Sequence, residues 1–376
     1  MTQLLPEGRS SGLRIAFFAS SLVSAYWNGA ATYYRGMVRA LAQRGHRITF
    51  YEPDAFDRQK HRDFAEDPPW ARVVVYPASE GACLQSLESA GRSSDLVVKA
   101  SGVGVFDALL EREVIRLQGP RTRVAFWDVD APATLERMER HPGDPFRELV
   151  SRYDLIFTYG GGDPVVRAYA KFGARVCVPI YNALDPDTHH PVPPDPRFQG
   201  DLAFLGNRLP DREARVEEFF LKPAAKLAAR RFLLGGNGWG DKPMPANVTY
   251  LGHVYTGEHN ALNSTVRAVL NINRDSMARF GFSPATRVFE AAGAGACILT
   301  DAFEGVEAFL EPDTEILVAR SGEEVAAQLE ALTPERAQAI GRAAHWRVLA
   351  EHTYLHRAAR FEEALGIGPV RARGTA

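Results

Sequence analysis

Short apolar runs of strand length alternate with helical patterns along most of the chain. Residues 14–19 and 47–51 are apolar runs of strand length, and residues 32–44 between them repeat apolar side chains at helical spacing. Gly45 follows that helix where a left-handed C-cap residue is common. Strand, helix and strand in this order predict a parallel sheet, because parallel strands need a crossover connection.

The alternation continues in two blocks and predicts an α/β fold with two doubly wound, Rossmann-like lobes. Further strands are predicted at residues 72–76, 95–100, 123–127, 154–158 and 174–178, then at 201–206, 231–235, 248–252, 268–273, 296–300 and 315–318. Further helices are predicted at residues 105–117, 133–140, 164–172, 212–230, 284–292, 323–332 and 334–365.

A proline-rich segment separates the two blocks. Residues 185–196 contain five prolines in twelve positions, which excludes a helix or a central strand. The predicted organisation is therefore an N-terminal domain at 1–184, a linker at 185–200, a C-terminal domain at 201–345 and a final helix at 346–376.

Composition narrows the class of partner. Lys plus Arg number 44 and Asp plus Glu 46, so the formal net charge of −2 gives no field that attracts nucleic acid. No apolar stretch approaches the 18 to 20 residues or so of a membrane span, so no membrane insertion is expected. Three widely spaced cysteines in apolar or small-residue surroundings predict free thiols and a cytoplasmic protein.

Several loops after predicted strands are rich in glycine or small polar residues, and these loops face the ligand in doubly wound sheets. The first loop lacks the Gly-x-Gly-x-x-Gly spacing, which argues against a dehydrogenase. A tight connection explains residues 236–240 as well as a ligand loop does. The candidates in these loops are Asn28, Gly29, Gly206, Asn207, Gly236 and Gly238.

The most informative segment is residues 280–301. Ser283 before Pro284 predicts a helix start with Ser as N-cap, and a helix N-terminus can bind a phosphate. Glu290, about two turns into this helix, could accept two hydrogen bonds from a ribose diol. The alternative is an i, i+3 ion pair between Glu290 and Arg287 on a solvated face.

Residues 282–301 resemble the nucleotide-sugar signature of retaining GT-B glycosyltransferases of the glycosyl-transferase group 1 type. The similarity is closest to the CgeB-like, spore-maturation branch, and it covers most of the chain. The other matching pieces occur in the order of the family: Asn28-Gly29-Ala30, Gly45-His46, residues 182–185 with Pro191, Gly206-Asn207-Arg208 with Arg212, residues 236–240, and His352-Thr353 with Arg357-Ala358.

The resemblance implies a GT-B fold with two lobes facing a central cleft and a C-terminal helix that crosses back to the N-terminal lobe. It implies an acceptor domain at 1–184 and a donor domain at 201–345. The implied activity is hexosyl transfer from a nucleotide-diphosphate sugar, a UDP-sugar first, to an unidentified acceptor. Retention of configuration, no metal, and no cofactor besides the nucleotide-sugar co-substrate are expected.

Site roles follow from the same resemblance. Glu290 would bind the donor ribose, and Arg208 and Arg212 would neutralise the departing diphosphate, although a solvated helix start also explains both arginines. The family's paired-Glu pattern is broken, because Phe282 stands at the first Glu position. Four single polar residues complete the predicted donor site: His253, Arg274, Ser283 and Arg287. Structural roles are the alternative for these residues.

In the first lobe, Asp128 and Asp130 follow a predicted strand in an Asp-x-Asp-x-Pro segment that resembles one in the CgeB-like branch. Either could orient or deprotonate an acceptor hydroxyl. Metal binding and helix capping are the alternatives. As whole functions, a catalytically inactive sugar-nucleotide-binding or structural protein and a nucleotide-sugar 2-epimerase compete with the transferase.

Overall fold

The computed structural model describes residues 12–26 and 28–368, without the side chain of Ser276. The chain divides into two compact units. Unit 1 comprises Met1–Tyr181 and Tyr354–Ala376, and unit 2 comprises Asn182–Thr353. Each unit is built on one parallel sheet, which confirms the predicted α/β, Rossmann-like fold class.

Unit 1 contains a seven-stranded sheet in the order β3-β2-β1-β4-β5-β6-β7, and every neighbouring pair is parallel. Long apolar side chains such as Phe17, Phe50 and Trp127 are buried on this sheet. Its strands are β1 (Arg14–Phe18), β2 (Arg47–Asp54), β3 (Arg72–Pro77), β4 (Leu96–Ala100), β5 (Arg123–Asp128), β6 (Leu155–Thr158) and β7 (Cys177–Pro179).

Helices connect most of these strands, as parallel crossovers require. They are α1 (Ala31–Gln43), α2 (Glu80–Ser93), α3 (Asp107–Glu113), α4 (Ala131–Arg140), α5 (Phe146–Val150) and α6 (Gly162–Lys171). The apolar pattern did not predict α2. Ser79 caps this helix by accepting a hydrogen bond from the Ala82 amide.

Unit 2 contains a six-stranded parallel sheet in the order β10-β9-β8-β11-β12-β13. Its strands are β8 (Leu202–Leu205), β9 (Phe232–Gly235), β10 (Val248–Gly252), β11 (Ala268–Asn271), β12 (Ile298–Asp301) and β13 (Leu317–Ala319). Its helices are α7 (Glu213–Val216), α8 (Lys222–Lys226), α9 (Thr256–Thr265), α10 (Asp275–Phe280), α11 (Thr286–Gly293), α12 (Gly322–Ala331) and α13 (Pro334–Glu351). A π-helical turn, Glu217–Leu221, joins α7 to α8.

The last helix, α14 (Tyr354–Ala364), belongs to unit 1. Glu362 on α14 accepts hydrogen bonds from Arg44 at 2.8 and 2.6 Å, and its carboxylate lies 3.0 Å from Nε2 of His46. The Phe361 ring stacks 5.6 Å from that of Trp127. The C-terminal helix therefore packs with the first sheet, as the GT-B resemblance implies.

The observed divisions fall at residues 181/182 and 353/354 rather than at the predicted 184, 200 and 345. The proline-rich segment 185–200 is part of unit 2, because its backbone amides are bound there: Val192 N donates to Ser264 at 3.2 Å and Asp195 N to Thr265 at 2.8 Å. The predicted boundary at 345/346 lies inside α13, whose helical hydrogen bonding continues to Glu351.

None of the helices in the described ranges is long and apolar enough to span a membrane. Cys83, Cys177 and Cys297 are free thiols, as predicted. Burial raises the pKa of each of them, to about 12 for Cys297, so these thiols stay protonated and unreactive near neutral pH.

Candidate functional site

Two loops at the C-terminal ends of β8 and β9 are bound to each other by backbone hydrogen bonds. Gly206 N donates to Gly235 O at 2.8 Å, and Asn237 N donates to the Asn207 side chain at 2.9 Å. Gly236 has a φ of 124°, and a Cβ there would lie 2.2 Å from the Gly206 carbonyl oxygen. Only glycine fits this position, so the predicted residues Gly206, Asn207 and Gly236 shape the edge of the sheet.

Arg208 stabilises the same pair of loops. Its guanidinium donates to both carboxylate oxygens of Glu213 at 2.9 and 2.7 Å and to Asp241 at 3.0 Å. The hydrogen bonds to Glu213 raise the pKa of Arg208. Gly238 has a φ of 85°, and a Cβ added at this residue would lie 3.2 Å from the Cβ of Arg208. The charge of Arg208 is thus already compensated within unit 2.

Arg212 and Arg287 form a different kind of arrangement around the buried ring of Phe204. Their guanidinium carbons lie 5.6 and 5.8 Å from the centre of that ring. Arg212 donates to the Asn207 carbonyl at 2.8 Å, and neither arginine forms an ion pair with a carboxylate in the described part of the chain. Burial, and then the positive charge of Arg287, lower the pKa of Arg212 to about 10, and burial also lowers that of Arg287. Two desolvated cations that make no such ion pair are suited to bind an anion.

Helix α11 begins later than predicted. Its N-cap is Ala285, with no side-chain cap, and the first helical residue is Thr286. The predicted Ser283 cap is wrong, because the helix begins two residues after Pro284 and Ser283 therefore lies too far from its first amides. The Ser283 hydroxyl is instead buried without a hydrogen-bond partner. Uncapped amides at the start of α11 and a free hydroxyl add donors beside Arg287, which lies in the first turn.

Glu290 lies on α11 with its side chain 16% exposed. Its Oε1 atom is 3.9 Å from Nε2 of the buried His189, and His259 lies close to both. The alternative ion pair between Glu290 and Arg287 does not form among the residues that the structure describes. The carboxylate therefore remains available to a ligand.

Two further predicted residues lie at the surface. His253 is exposed, and its ring meets that of Tyr255 edge-on with centroids 4.6 Å apart. Arg274 donates to Asp211 at 2.5 Å, so it already has a counter-ion.

The sequence analysis missed a buried polar cluster at the ends of β11 and β12. Asp301 accepts hydrogen bonds from Arg215 at 2.5 Å and from the Asn273 amide at 3.1 Å, and burial raises the pKa of Asp301 despite Arg215. Asn271 donates to Thr300 at 3.0 Å. Polar residues at the ends of two otherwise apolar strands were the available signal. This cluster holds the loops that follow both strands.

In unit 1, Asp128 is fully buried at the end of β5. Its carboxylate accepts hydrogen bonds from Ser101 at 2.8 Å, from the Asp130 amide at 3.0 Å, from Thr134 at 3.1 Å and from the Tyr169 hydroxyl. Burial nevertheless raises the pKa of Asp128. With four donors and no exposed surface, Asp128 shapes its loop.

Asp130 is half-buried and is the N-cap residue of α4, but its side chain makes no capping hydrogen bond. The backbone carbonyl of Asp130 begins the helix instead, accepting from Thr134 N at 3.1 Å. Of the two predicted carboxylates, Asp130 is the one that reaches solvent.

Asn28 is buried and fully engaged in its own loop. It accepts from Ser20 at 2.8 Å and donates to the carbonyls of Ser21 and Ser24 at 2.8 and 3.0 Å. Gly29 is exposed, and a Cβ there would meet no other atom within 4 Å. Asn28 thus holds the loop in shape, while Gly29 leaves open space before α1.

Phe282, at the position where the family has its first Glu, has a φ of 44°. Its amide donates to the Glu304 carbonyl at 2.6 Å. A Cβ added at Gly305 would lie only 2.1 Å from the ring of Phe282. Gly305 therefore makes room for an aromatic side chain in place of a carboxylate.

Comparison with known proteins agrees with this architecture. Residues 212–363 match a family model described as glycosyl transferase-like. A search of curated protein sequences finds no match.

Three solved structures illustrate the likeness of fold. Sucrose-phosphate synthase from Thermosynechococcus elongatus is 12% identical, with a TM-score of 0.67 over 93% of this chain and 97% of that one. HepE of Anabaena, in complex with UDP and glucose, is 13% identical, with a TM-score of 0.64 over 94% and 99%. AviGT4, a glycosyltransferase involved in avilamycin A biosynthesis, is 17% identical, with a TM-score of 0.58 over 94% and 97%. The chain thus has the GT-B fold of these structures, and residues 212–363 are similar to glycosyl transferase-like sequences.

Proposed function

We propose that this protein transfers a sugar from a UDP-sugar to an acceptor, without a metal ion and with retention of configuration. The observation that carries the proposal is the pair of buried cations without an ion-pair partner in the described part of the chain, Arg212 and Arg287, which both pack against Phe204. UDP is the donor nucleotide we favour, because HepE shares the fold and was solved with UDP and glucose.

The chemistry of transfer explains why such a pair is useful. When the bond between the anomeric carbon and the diphosphate oxygen breaks, the electron pair stays on the diphosphate, which becomes more negative. Cations placed at that oxygen stabilise the developing charge more than they stabilise the intact donor. Two fixed guanidinium groups perform this role without a divalent cation.

The rest of the donor fits the residues around this pair. Ser283 and the uncapped start of α11 offer hydrogen-bond donors to a phosphate. Glu290, about one turn along the helix, accepts from the ribose hydroxyls. Arg208 is removed from the predicted diphosphate contacts, since Glu213 and Asp241 neutralise it.

The acceptor is assigned to unit 1 on the basis of Asp130. In the transfer, a bond forms between an acceptor oxygen and the anomeric carbon, and the hydroxyl loses its proton. Asp130 orients that hydroxyl or receives the proton. We further propose that the chain belongs to the CgeB-like branch and works in the cytoplasm, in keeping with three reduced thiols.

Calorimetry with UDP, GDP, dTDP, uridine and NAD, together with an assay for release of UDP from UDP-sugars, tests this function. UDP should bind at least about tenfold more tightly than uridine, because the diphosphate contacts the arginine pair. Slow hydrolysis of a UDP-sugar should accompany binding. Binding of UDP without any turnover would support the catalytically inactive alternative, and binding of NAD in preference to UDP would overturn the proposal.

A further inference from the structure

Three side chains that accept hydrogen bonds meet in unit 2, outside the arginine pair. His189, His259 and Glu290 each offer one ligand atom, and these atoms lie within 4.8 Å of one another. They come from three separate places: the proline-rich segment, the first turn of α9, and α11. His189 Nε2 and Glu290 Oε1 are 3.9 Å apart.

The hydrogen bonds of His189 define which ring nitrogen carries its lone pair. The Thr188 hydroxyl donates its single proton to the Asp185 carbonyl at 3.1 Å, so at 3.0 Å from His189 Nδ1 its oxygen acts as the acceptor. Nδ1 then carries the hydrogen, and neutral His189 presents a lone pair on Nε2.

That lone pair has no partner. His189 is 3% exposed, and its Nε2 atom is buried without a hydrogen bond. An unpaired nitrogen lone pair facing a carboxylate oxygen is unfavourable unless a cation or a donor lies between them.

We propose that His189, His259 and Glu290 bind one divalent transition-metal ion of the zinc class. Two imidazoles and one carboxylate are a ligand set that zinc takes with an open fourth position. Ligand atoms around zinc lie about 3.3 Å apart, so side-chain movements of about 1 Å complete the site. Mg²⁺ and Ca²⁺ are excluded as the preferred ions, because they favour oxygen ligands.

Neighbouring hydrogen bonds hold the ligands in place. The Thr188 hydroxyl orients His189, as metal-binding histidines usually require. Asn260, next to His259, donates to the Thr188 carbonyl at 2.9 Å and so ties the start of α9 to the segment that carries His189.

The site has a consequence for the donor, which rests on the proposed function. Glu290 cannot accept hydrogen bonds from a ribose while it coordinates a metal ion. Zinc should therefore compete with the nucleoside and inhibit the enzyme, although catalysis itself needs no metal.

The test measures metal binding directly, by competition of the full chain with a chromogenic zinc chelator and by the visible absorption of bound Co²⁺. We expect one ion per chain and the intense Co²⁺ bands of a tetrahedral site. His189→Gln, His259→Gln and Glu290→Gln should each weaken zinc binding about 100-fold or more. His190→Gln is the matched control, because His190 is exposed beside His189, and it should leave the affinity unchanged.

Thermal melts identify any variant that fails to fold, and the three independent substitutions keep the result interpretable. No zinc binding by the wild-type chain, or equal binding by all three variants, overturns the metal site. Competition is measured with uridine rather than UDP, because a diphosphate binds zinc by itself. Zinc binding that uridine does not weaken would retain the metal site and refute the ribose role of Glu290.

Discussion

Replacing Arg212 by Met should stabilise the fold and impair donor binding at the same time. The methionine keeps an apolar side chain against Phe204 but removes a charge that the protein has desolvated without a counter-ion. A residue present only for stability would not behave in this way.

The magnitude follows from the pKa of Arg212, which is lowered to about 10. At about 1.4 kcal/mol for each tenfold change in acidity, the charged side chain costs the folded state about 3 kcal/mol. Because Arg212 keeps partial contact with solvent, we take about 1 to 2 kcal/mol as the net effect. The sign holds throughout the usual range: below pH 10 the arginine is charged in both the folded and the unfolded chain, so the full cost is present at pH 7.

The assay combines thermal denaturation of the free protein with calorimetry of UDP binding. Arg212→Met should raise the melting temperature by roughly 2 to 6 °C and weaken UDP binding by about tenfold or more. Arg208→Met is the matched control: it loses the ion pairs to Glu213 and Asp241, so its melting temperature should fall or stay unchanged. A destabilised Arg212→Met protein with unchanged UDP affinity would refute the reasoning.

Four further predictions concern catalysis, metals and unit 1. Asp130→Asn should lower kcat about 100-fold or more while the KM for the donor stays near the wild-type value, as steady-state kinetics would show. Asp128→Asn should instead lower the melting temperature, as thermal melts would show. Activity should persist in EDTA, and loss that Mn²⁺ restores would contradict a metal-independent transfer. Burial lowers the pKa of His46, so this histidine takes up a proton more readily in the unfolded chain than in the folded one. The stability of unit 1 should therefore fall as the pH drops below about 6.5, and denaturation measured between pH 5 and 8 tests this. Glu362→Gln should destabilise unit 1 by about 1 to 3 kcal/mol, measured by urea denaturation, because it breaks the contacts with Arg44 and His46.

Strands were the most predictable elements. Parallel strands buried on both faces consist of apolar runs, which the sequence displays directly, as in Leu96–Ala100 and Phe232–Gly235. The helix α9, Thr256–Thr265, escaped prediction because Leu262 is its only buried apolar residue, so it has no clear apolar stripe. The start of α11 was misplaced because a helix can begin either at the proline of a Ser-Pro pair or a few residues after it.

The candidate site was predictable in residue type and in its place at strand ends. It was not predictable which arginine would be neutralised. Arg208 and Arg212 lie four residues apart, yet Asp241, far along the chain, compensates one, while Phe204 packs against the other. The approach of His189 to Glu290 likewise depends on how the proline-rich segment folds onto unit 2, which local pattern does not encode.

Unit 1 is discontinuous in sequence, since unit 2 lies between Tyr181 and Tyr354. On a ribosome, the first sheet emerges long before α14, the helix whose Phe361 covers Trp127 and whose Glu362 binds Arg44. Unit 2 can therefore complete its fold while unit 1 still waits for its last helix. Trp127 lacks the cover of α14 during that interval, and we expect the nascent first unit to depend on chaperones until the chain is nearly finished.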